Sequence, residues 1–124
     1  MNYSDMIDSK IKFRKRYVPT ADINATKVWN VPITDSDREN YAPFLSLTVH
    51  NKSGKTIQVA LNSVGLGDDS LQLTKDSYFL LPENVLEVND IPFYTLAIKN
   101  LDTDENIDIA TGSTEFIEVI IKNW

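Results

Sequence analysis

His50 is the first residue to consider for chemistry, because it is the single histidine of the 124-residue chain. A Ser-His-Asp relay needs its imidazole beside an activated serine, and no G-x-S-x-G nucleophile elbow occurs in the sequence. The parity of Leu47-Thr48-Val49-His50 puts the imidazole on the polar side of a strand, so it reads as a surface residue. With one histidine and no cysteine, zinc has no ligand set. Asp102-Thr103-Asp104-Glu105-Asn106-Ile107-Asp108 places oxygen ligands at alternate positions, as a calcium loop does. An EF-hand loop also needs Gly where Ile107 stands, Glu where Ser113 stands, and a helix on each side. The stretch therefore reads as a hydrated turn between strands. Gly65-Leu66-Gly67 is too short, and too acidic downstream, to cradle a phosphate. A glycosidase needs only two carboxylates at the right separation, so eighteen acids leave one conceivable, but four glycines offer little of the special backbone a deep cleft uses. No catalytic residue, cofactor or metal ligand is expected.

What remains is charge and apolar surface. Residues 1–16 hold five bases (Lys10, Lys12, Arg14, Lys15 and Arg16) and two acids, whereas the rest of the chain holds seven bases and sixteen acids. An acidic body is a poor nucleic-acid partner, and one small basic cluster with no second patch offers little to a phosphate backbone or a membrane surface. A solvated strand edge, where lysines discourage edge pairing, is the plain alternative; a protein contact is the functional one. Residues 1–43 are expected to form an extended arm containing one strand, and 44–124 a β-sandwich domain. The arm carries Phe13, Tyr17 and Trp29, so it lies against something. Its candidate contact residues are Lys10, Lys12, Arg14, Lys15, Arg16 and Trp29. Ordering so long a segment costs about 1–2 kcal/mol per residue in backbone entropy, so many contacts must offset it. If the arm is a clamp, removing residues 2–18 leaves the sandwich folded and weakens self-association, most visibly at low salt.

The elements that must position these groups are strands. Tyr94, Leu96 and Ile98 alternate with Thr95, Ala97 and Lys99, the period of a half-buried strand. Leu47, Val49 and Asn51 followed by Ile57, Val59 and Ala60 have nearly the same plan as Leu96, Ile98 and Asn100 followed by Ile107, Ile109 and Ala110. Two hairpins of one design are expected, in two facing sheets. Further short strands are expected at Leu71–Leu73, Ser77–Leu81, Val85–Val88 and Glu115–Lys122, and Thr34 can cap one helical turn through the amide of Asp37. About eight short strands with regular turn signals make an all-β antiparallel sandwich, jelly-roll-like or Ig-like. The 42% apolar and 24% charged shares are those of a single globular domain. The N-terminus has no basic cap before an apolar run, so no signal peptide is expected, and Val119-Ile120-Ile121 is far too short to cross a bilayer.

The last strand is two-sided. Ile117, Val119 and Ile121 form one apolar face, yet Phe116 and Ile120 stand on the other. Covering each is worth about 1.5–3 kcal/mol, so another surface, the arm or a second subunit, is expected over them. Phe116, Ile120 and Trp124 are the candidate outer-face contacts.

The paired L-x-[VI]-x-N motifs at Leu47/Val49/Asn51 and Leu96/Ile98/Asn100, the passage from Leu80-Leu81-Pro82 to Ile91-Pro92-Phe93, and the extended leader resemble the small β-sandwich virion proteins of tailed bacteriophages. The resemblance covers residues 44–124. It implies a non-enzymatic virion structural protein, a capsid decoration or auxiliary protein before a neck, tail or fibre-attachment subunit. It implies as partners copies of itself and other virion proteins, with no nucleic acid, membrane or small-molecule ligand, and a place in the virion after synthesis in the host cytoplasm. The alternative of another class is a carbohydrate-binding module that stacks sugars on Tyr78, Tyr94 or Trp124.

Overall fold

Period-two runs of the sequence become strands that pair into two sheets. The computed structural model describes residues 11–66, 70–71, 76–109 and 114–124. In chain order the elements are β1 (Arg14–Tyr17), β2 (Val28–Asn30), α1 (Asp35–Tyr41), β3 (Phe44–Lys52), β4 (Ile57–Leu61), β5 (Gly65–Leu66), β6 (Ser70–Leu71), β7 (Ser77–Leu80), β8 (Val85–Phe93), β9 (Leu96–Asn100) and β10 (Phe116–Lys122). One sheet has the order β1-β10-β3-β8, the other β2-β9-β4-β7, and β5 and β6 form a small ribbon of their own. Every pairing is antiparallel. The partners β1 with β10, β2 with β9, β3 with β8 and β4 with β7 are nested, as in one long hairpin rolled into a barrel-like sandwich. That is the jelly-roll arrangement.

The core lies between the sheets. Leu47 and Val49 of β3, Ile57, Val59 and Leu61 of β4, Leu96 and Ile98 of β9, and Ile117, Val119 and Ile121 of β10 are all buried, in the parity their alternation requires. Phe44 and Phe93 close one end, with ring centroids 5.7 Å apart. Thr34 caps α1 as its position demands, its hydroxyl accepting from the Asp37 amide at 3.0 Å. No helix among the described residues is long and apolar enough to cross a membrane.

Three expectations need correction. The two stretches of common design are not hairpins: β3 lies in the first sheet and β4 in the second, so residues 53–56 carry the chain around a corner between layers. The second copy turns a corner too, and its return stretch makes only an isolated bridge between Ile107 and Ile23, with Ala110 outside the described residues. Polar turn residues mark both kinds of bend, so local sequence does not separate them. Second, Tyr94 is exposed in the bend before β9 and does not join Leu96 and Ile98 on the inner face. Third, the described part of the expected arm, residues 11–43, supplies the outer strand of each sheet and puts Tyr17, Ile23, Val31 and Ile33 into the core. Phe13 stacks on Tyr41 at 4.9 Å and meets Phe44 at 5.4 Å. Among the described residues, the boundary expected after residue 43 therefore separates nothing, and removing residues 2–18 takes away an edge strand and two packed aromatic rings. Of the expected strand Leu71–Leu73, Leu71 lies in β6 and the rest lies outside the described residues.

Candidate functional site

The register of the first sheet brings together groups that are distant in the sequence. Arg14 stands opposite Lys122 and Arg16 opposite Ile120, because β1 is paired along β10. Ile120 in turn faces Thr48, and Thr48 faces Glu87 of β8. One cross-strand row thus runs Arg16, Ile120, Thr48, Glu87 over the outer face, cationic at one edge and anionic at the other. Phe116 and Ile120 point outward as expected, and both are half-buried rather than bare. Flanking strands cover Ile120 from both sides and Phe116 from the β3 side, where it faces Lys52, since long side chains on neighbours cover apolar surface with their stems.

At the β1 end of that face the ring of Trp124 lies between two ammonium groups, Lys12 Nζ at 5.4 Å and Lys122 Nζ at 5.2 Å from its centroid. Each such contact is worth about 0.5–1 kcal/mol where water is near. Arg16 Nε donates to Glu118 Oε2 at 2.6 Å, and Lys15 Nζ donates to Asp37 Oδ2 at 3.5 Å while standing 5.3 Å from the centre of the Tyr17 ring. Arg14 makes no ion pair among the described residues. Tyr17 itself is buried, its hydroxyl has no hydrogen-bond partner among the described residues, and burial, with the nearby Asp37 charge adding to it, pushes the phenol up to about 12.

The arm bases and the C-terminal apolar groups, inferred separately, therefore form one surface: Lys12, Arg14 and Arg16 with Ile120 and Trp124, whereas Lys15, registered with the inward Ile121, turns to Asp37 and Tyr17. Trp29 is not part of it. It lies on β2 in the other sheet, opposite Ile98, and lines a cleft of about 320 Å³ with Thr20, Asp22, Asn24, Lys27 and Val28. Phe116 is at the far end of β10, opposite Lys52. Lys10 lies outside the described residues. Tyr78, Tyr94 and Trp124 do not share a face, since Tyr78 packs against the core from the second sheet while Trp124 follows the central strand of the first.

Other groups singled out for chemistry are engaged in the fold. Asp102 Oδ1 accepts from the Asp104 and Glu105 amides at 2.8 and 2.7 Å, and these two bonds hold its carboxyl below the usual range. Its loop is an Asx turn. His50 sits between Glu118 and Val85 on the outer face. No group of three or more His, Cys, Asp or Glu side chains suited to a metal occurs among the described residues.

Sequence reasoning missed Lys122 and the acidic edge. From 76 to 98 the chain has Asp76, Glu83, Glu87 and Asp90 and not one base, a signal as plain as the basic cluster. Beside that edge the apolar side chains of Phe79 (72% exposed), Leu81 (58%) and Val85 (49%) stand bare.

No family model and no curated protein matches this chain. Among solved structures, a subunit of Bacillus endospore appendages, described as a novel family of disulfide-linked pili, is similar over 93% of this chain and 90% of its own, at 12% identity and a TM-score of 0.51. The capsular polysaccharide assembling protein CapF of Staphylococcus aureus matches 94% of this chain with 24% of its length, at 14% identity and a TM-score of 0.38. PirA matches 90% of this chain and 92% of its own, at 12% identity and a TM-score of 0.36. At such identities the likeness is one of fold.

Proposed function

We propose that this chain is a non-enzymatic structural subunit that works by associating with copies of itself. The observation that carries this is the outward side of β10: a central strand presents Phe116 and Ile120 away from the core, continued by Trp124 between two lysines. An outward aliphatic and aromatic surface suits a protein contact, where aromatic residues are enriched. The appendage subunit of similar fold lends support, since it belongs to a pilus. That pilus is disulfide-linked, and these 124 residues, having no cysteine, cannot make such a link.

Within this class we place the chain on a virus particle, as a capsid decoration or auxiliary protein of a tailed bacteriophage before a neck, tail or fibre-attachment subunit. The support is the resemblance carried by the paired L-x-[VI]-x-N motifs, whose asparagines hold the two corners of the sandwich. Sedimentation velocity from micromolar to millimolar protein tests the broader proposal. Mass should rise with concentration, and Ile120→Asp should lower it while the fold persists by circular dichroism. A monomer at every concentration defeats the proposal. Mass spectrometry of purified particles tests the narrower one, which fails if the chain is absent from them.

A further inference from the structure

We infer that copies of this chain join head to tail, with β1 of one copy laid antiparallel along β8 of the next, so that the first sheet continues from copy to copy. This rests on the proposal that the chain is a self-associating subunit, and it adds to the outward face of β10 a second contact, between the edges of the first sheet. The occupant of each edge is a second copy.

β1 and β8 are the two edges of one sheet, each paired on one side only among the described residues. Edge strands carry a row of N–H and C=O groups available to another strand. Three successive antiparallel pairings separate β1 from β8, so the two edges run in opposite directions. A copy displaced sideways, and turned only by the twist that accumulates across the four strands, then offers β8 to β1 in antiparallel orientation. The lengths agree as well. β1 has four residues, and β8 pairs regularly with β3 over Val85–Asn89 before the register shifts opposite residues 44–46.

Charge selects this union over the others. β1 and its neighbours present Lys12, Arg14, Lys15 and Arg16, whereas the β8 side presents Glu83, Glu87 and Asp90. Two β1 edges would oppose bases to bases, and two β8 edges acids to acids, so both symmetric unions are disfavoured by like-charge contacts. Only the heterologous one sets cation against anion. The cross-strand row makes this specific: a displaced copy continues Arg16-Ile120-Thr48-Glu87 with the next Arg16 beside Glu87. Glu118 accepts from Nε of Arg16, and the remaining guanidinium donors are left for a second carboxylate.

The second sheet agrees. Only four residues, 81–84, join β7 to β8, so the edges β7 and β8 lie on one side of the sandwich, with Phe79, Leu81 and Val85 exposed there. β1 and β2 form the opposite side, which holds the cleft lined by Trp29 and Val28. The same displacement turns apolar groups of one copy toward the cleft of the next. Head-to-tail contacts of this kind do not saturate in a dimer but continue as rings or filaments.

Charge reversal on the full chain tests this. Arg16→Glu and Glu87→Arg are made separately, each checked for an unchanged fold by circular dichroism and melting, and mass is followed by sedimentation velocity at low salt. Each single reversal should weaken self-association by at least about tenfold, and an equimolar mixture of the two variants should assemble again, because each supplies the edge the other lacks. Hydrogen exchange on the wild-type assembly should show added protection in β1 and β8. If the wild type associates but the reversals change nothing, or if the mixture does not recover, the edge-to-edge union is wrong while the subunit proposal stands. A wild type that stays monomeric at all concentrations overturns both.

Discussion

Asn51 and Asn100 occupy equivalent places in the two sheets, each the buried asparagine at the corner where a strand leaves its layer. Asn51 Oδ1 accepts from the Ser53 amide at 3.1 Å, and Asn100 Oδ1 accepts from the Asp102 amide at 3.0 Å, two residues on in both cases. Asn51 Nδ2 donates to the carbonyls of Lys55, Leu80 and Leu81, and Asn100 Nδ2 to those of Ile23, Asn24 and Glu105. Each amide thus fixes its own turn and ties it to a connection from elsewhere in the chain. Buried backbone groups at a β-sandwich corner need partners, and a fixed side-chain amide adds donors and an acceptor to those the turns supply.

Replacing either asparagine by alanine leaves the turn amide, of Ser53 or of Asp102, without its acceptor and takes one donor from each carbonyl. The carbonyls of Lys55, Leu81, Ile23 and Asn24 keep a second donor in the Ser53 hydroxyl and the Asn84, Ile107 and Lys27 amides. Each unsatisfied buried group costs about 1–3 kcal/mol, so Asn51→Ala and Asn100→Ala should each lower stability by about 2–4 kcal/mol. Asp in place of Asn keeps the acceptor and loses the donor, and should be nearly as harmful. Thermal and urea melts of the variants measure this; a change under about 0.5 kcal/mol at either position would show that the corner holds without its amide.

Tyr17 sets the alkaline limit. Its folded pKa of about 12 lies above the ordinary value of 10.0, so the neutral phenol is favoured by folding. The stability linked to it is complete below pH 10 and is lost as the pH rises from 10 to 12, by about 2–3 kcal/mol in all. Tyr17→Phe removes both the titration and a buried hydroxyl that has no partner among the described residues. The variant should be as stable as the wild type or more so at pH 7, and should lose less stability between pH 10 and 12. Denaturant melts across that range decide it, since parallel curves for the two proteins would place the alkaline loss elsewhere.

Trp124 should report the charge around it. Two ammonium groups within 5.5 Å of the ring attract anions and repel cations. In a Trp29→Phe background, iodide should quench Trp124 fluorescence more strongly than caesium at low ionic strength. The difference should shrink in high salt and reverse or vanish in Lys12→Glu/Lys122→Glu. Equal quenching by the two ions at low salt would mean that the lysines do not hold these positions.

Much of the fold was legible because strands declare themselves locally. The inward parity of Ile117, Val119 and Ile121, the cap at Thr34 and the two-sided last strand need only the alternation of neighbours. Pairing partners do not, since a jelly roll joins Arg14 to Lys122 and Tyr17 to Val119 across almost the whole chain. This is why corners read as hairpins. β1 escaped notice as part of the sandwich for a different reason: three of its four residues are bases, and its hold on the core rests on Tyr17 and on Phe13 just before it. The surface followed the same rule. The basic cluster and the outward Phe116 and Ile120 were visible as composition, whereas the row from Arg16 to Glu87 exists only once the register is known.

Phe13 decides how firmly residues 11–18 belong to the body. Its ring stacks on Tyr41 and tilts against Phe44, its amide donates to Asn123 Oδ1 at 2.9 Å, and the Asn123 amide donates back to its carbonyl at 3.2 Å. Truncating a fully buried phenylalanine costs about 3–5 kcal/mol, and this ring is half-buried, so Phe13→Ala should cost about 2 kcal/mol and lower Tm by roughly 5–10 °C. Asn123→Ala should be comparably harmful, because its Nδ2 also donates to the Ile11 and Tyr41 carbonyls at 3.0 and 3.3 Å. The two effects should fall short of additive in the double variant, since the ring and the amide secure the same stretch of chain. A peripheral leader would behave differently, with each single change within about 0.5 kcal/mol of the wild type, and β1 would then be a strand that docks late and leaves easily.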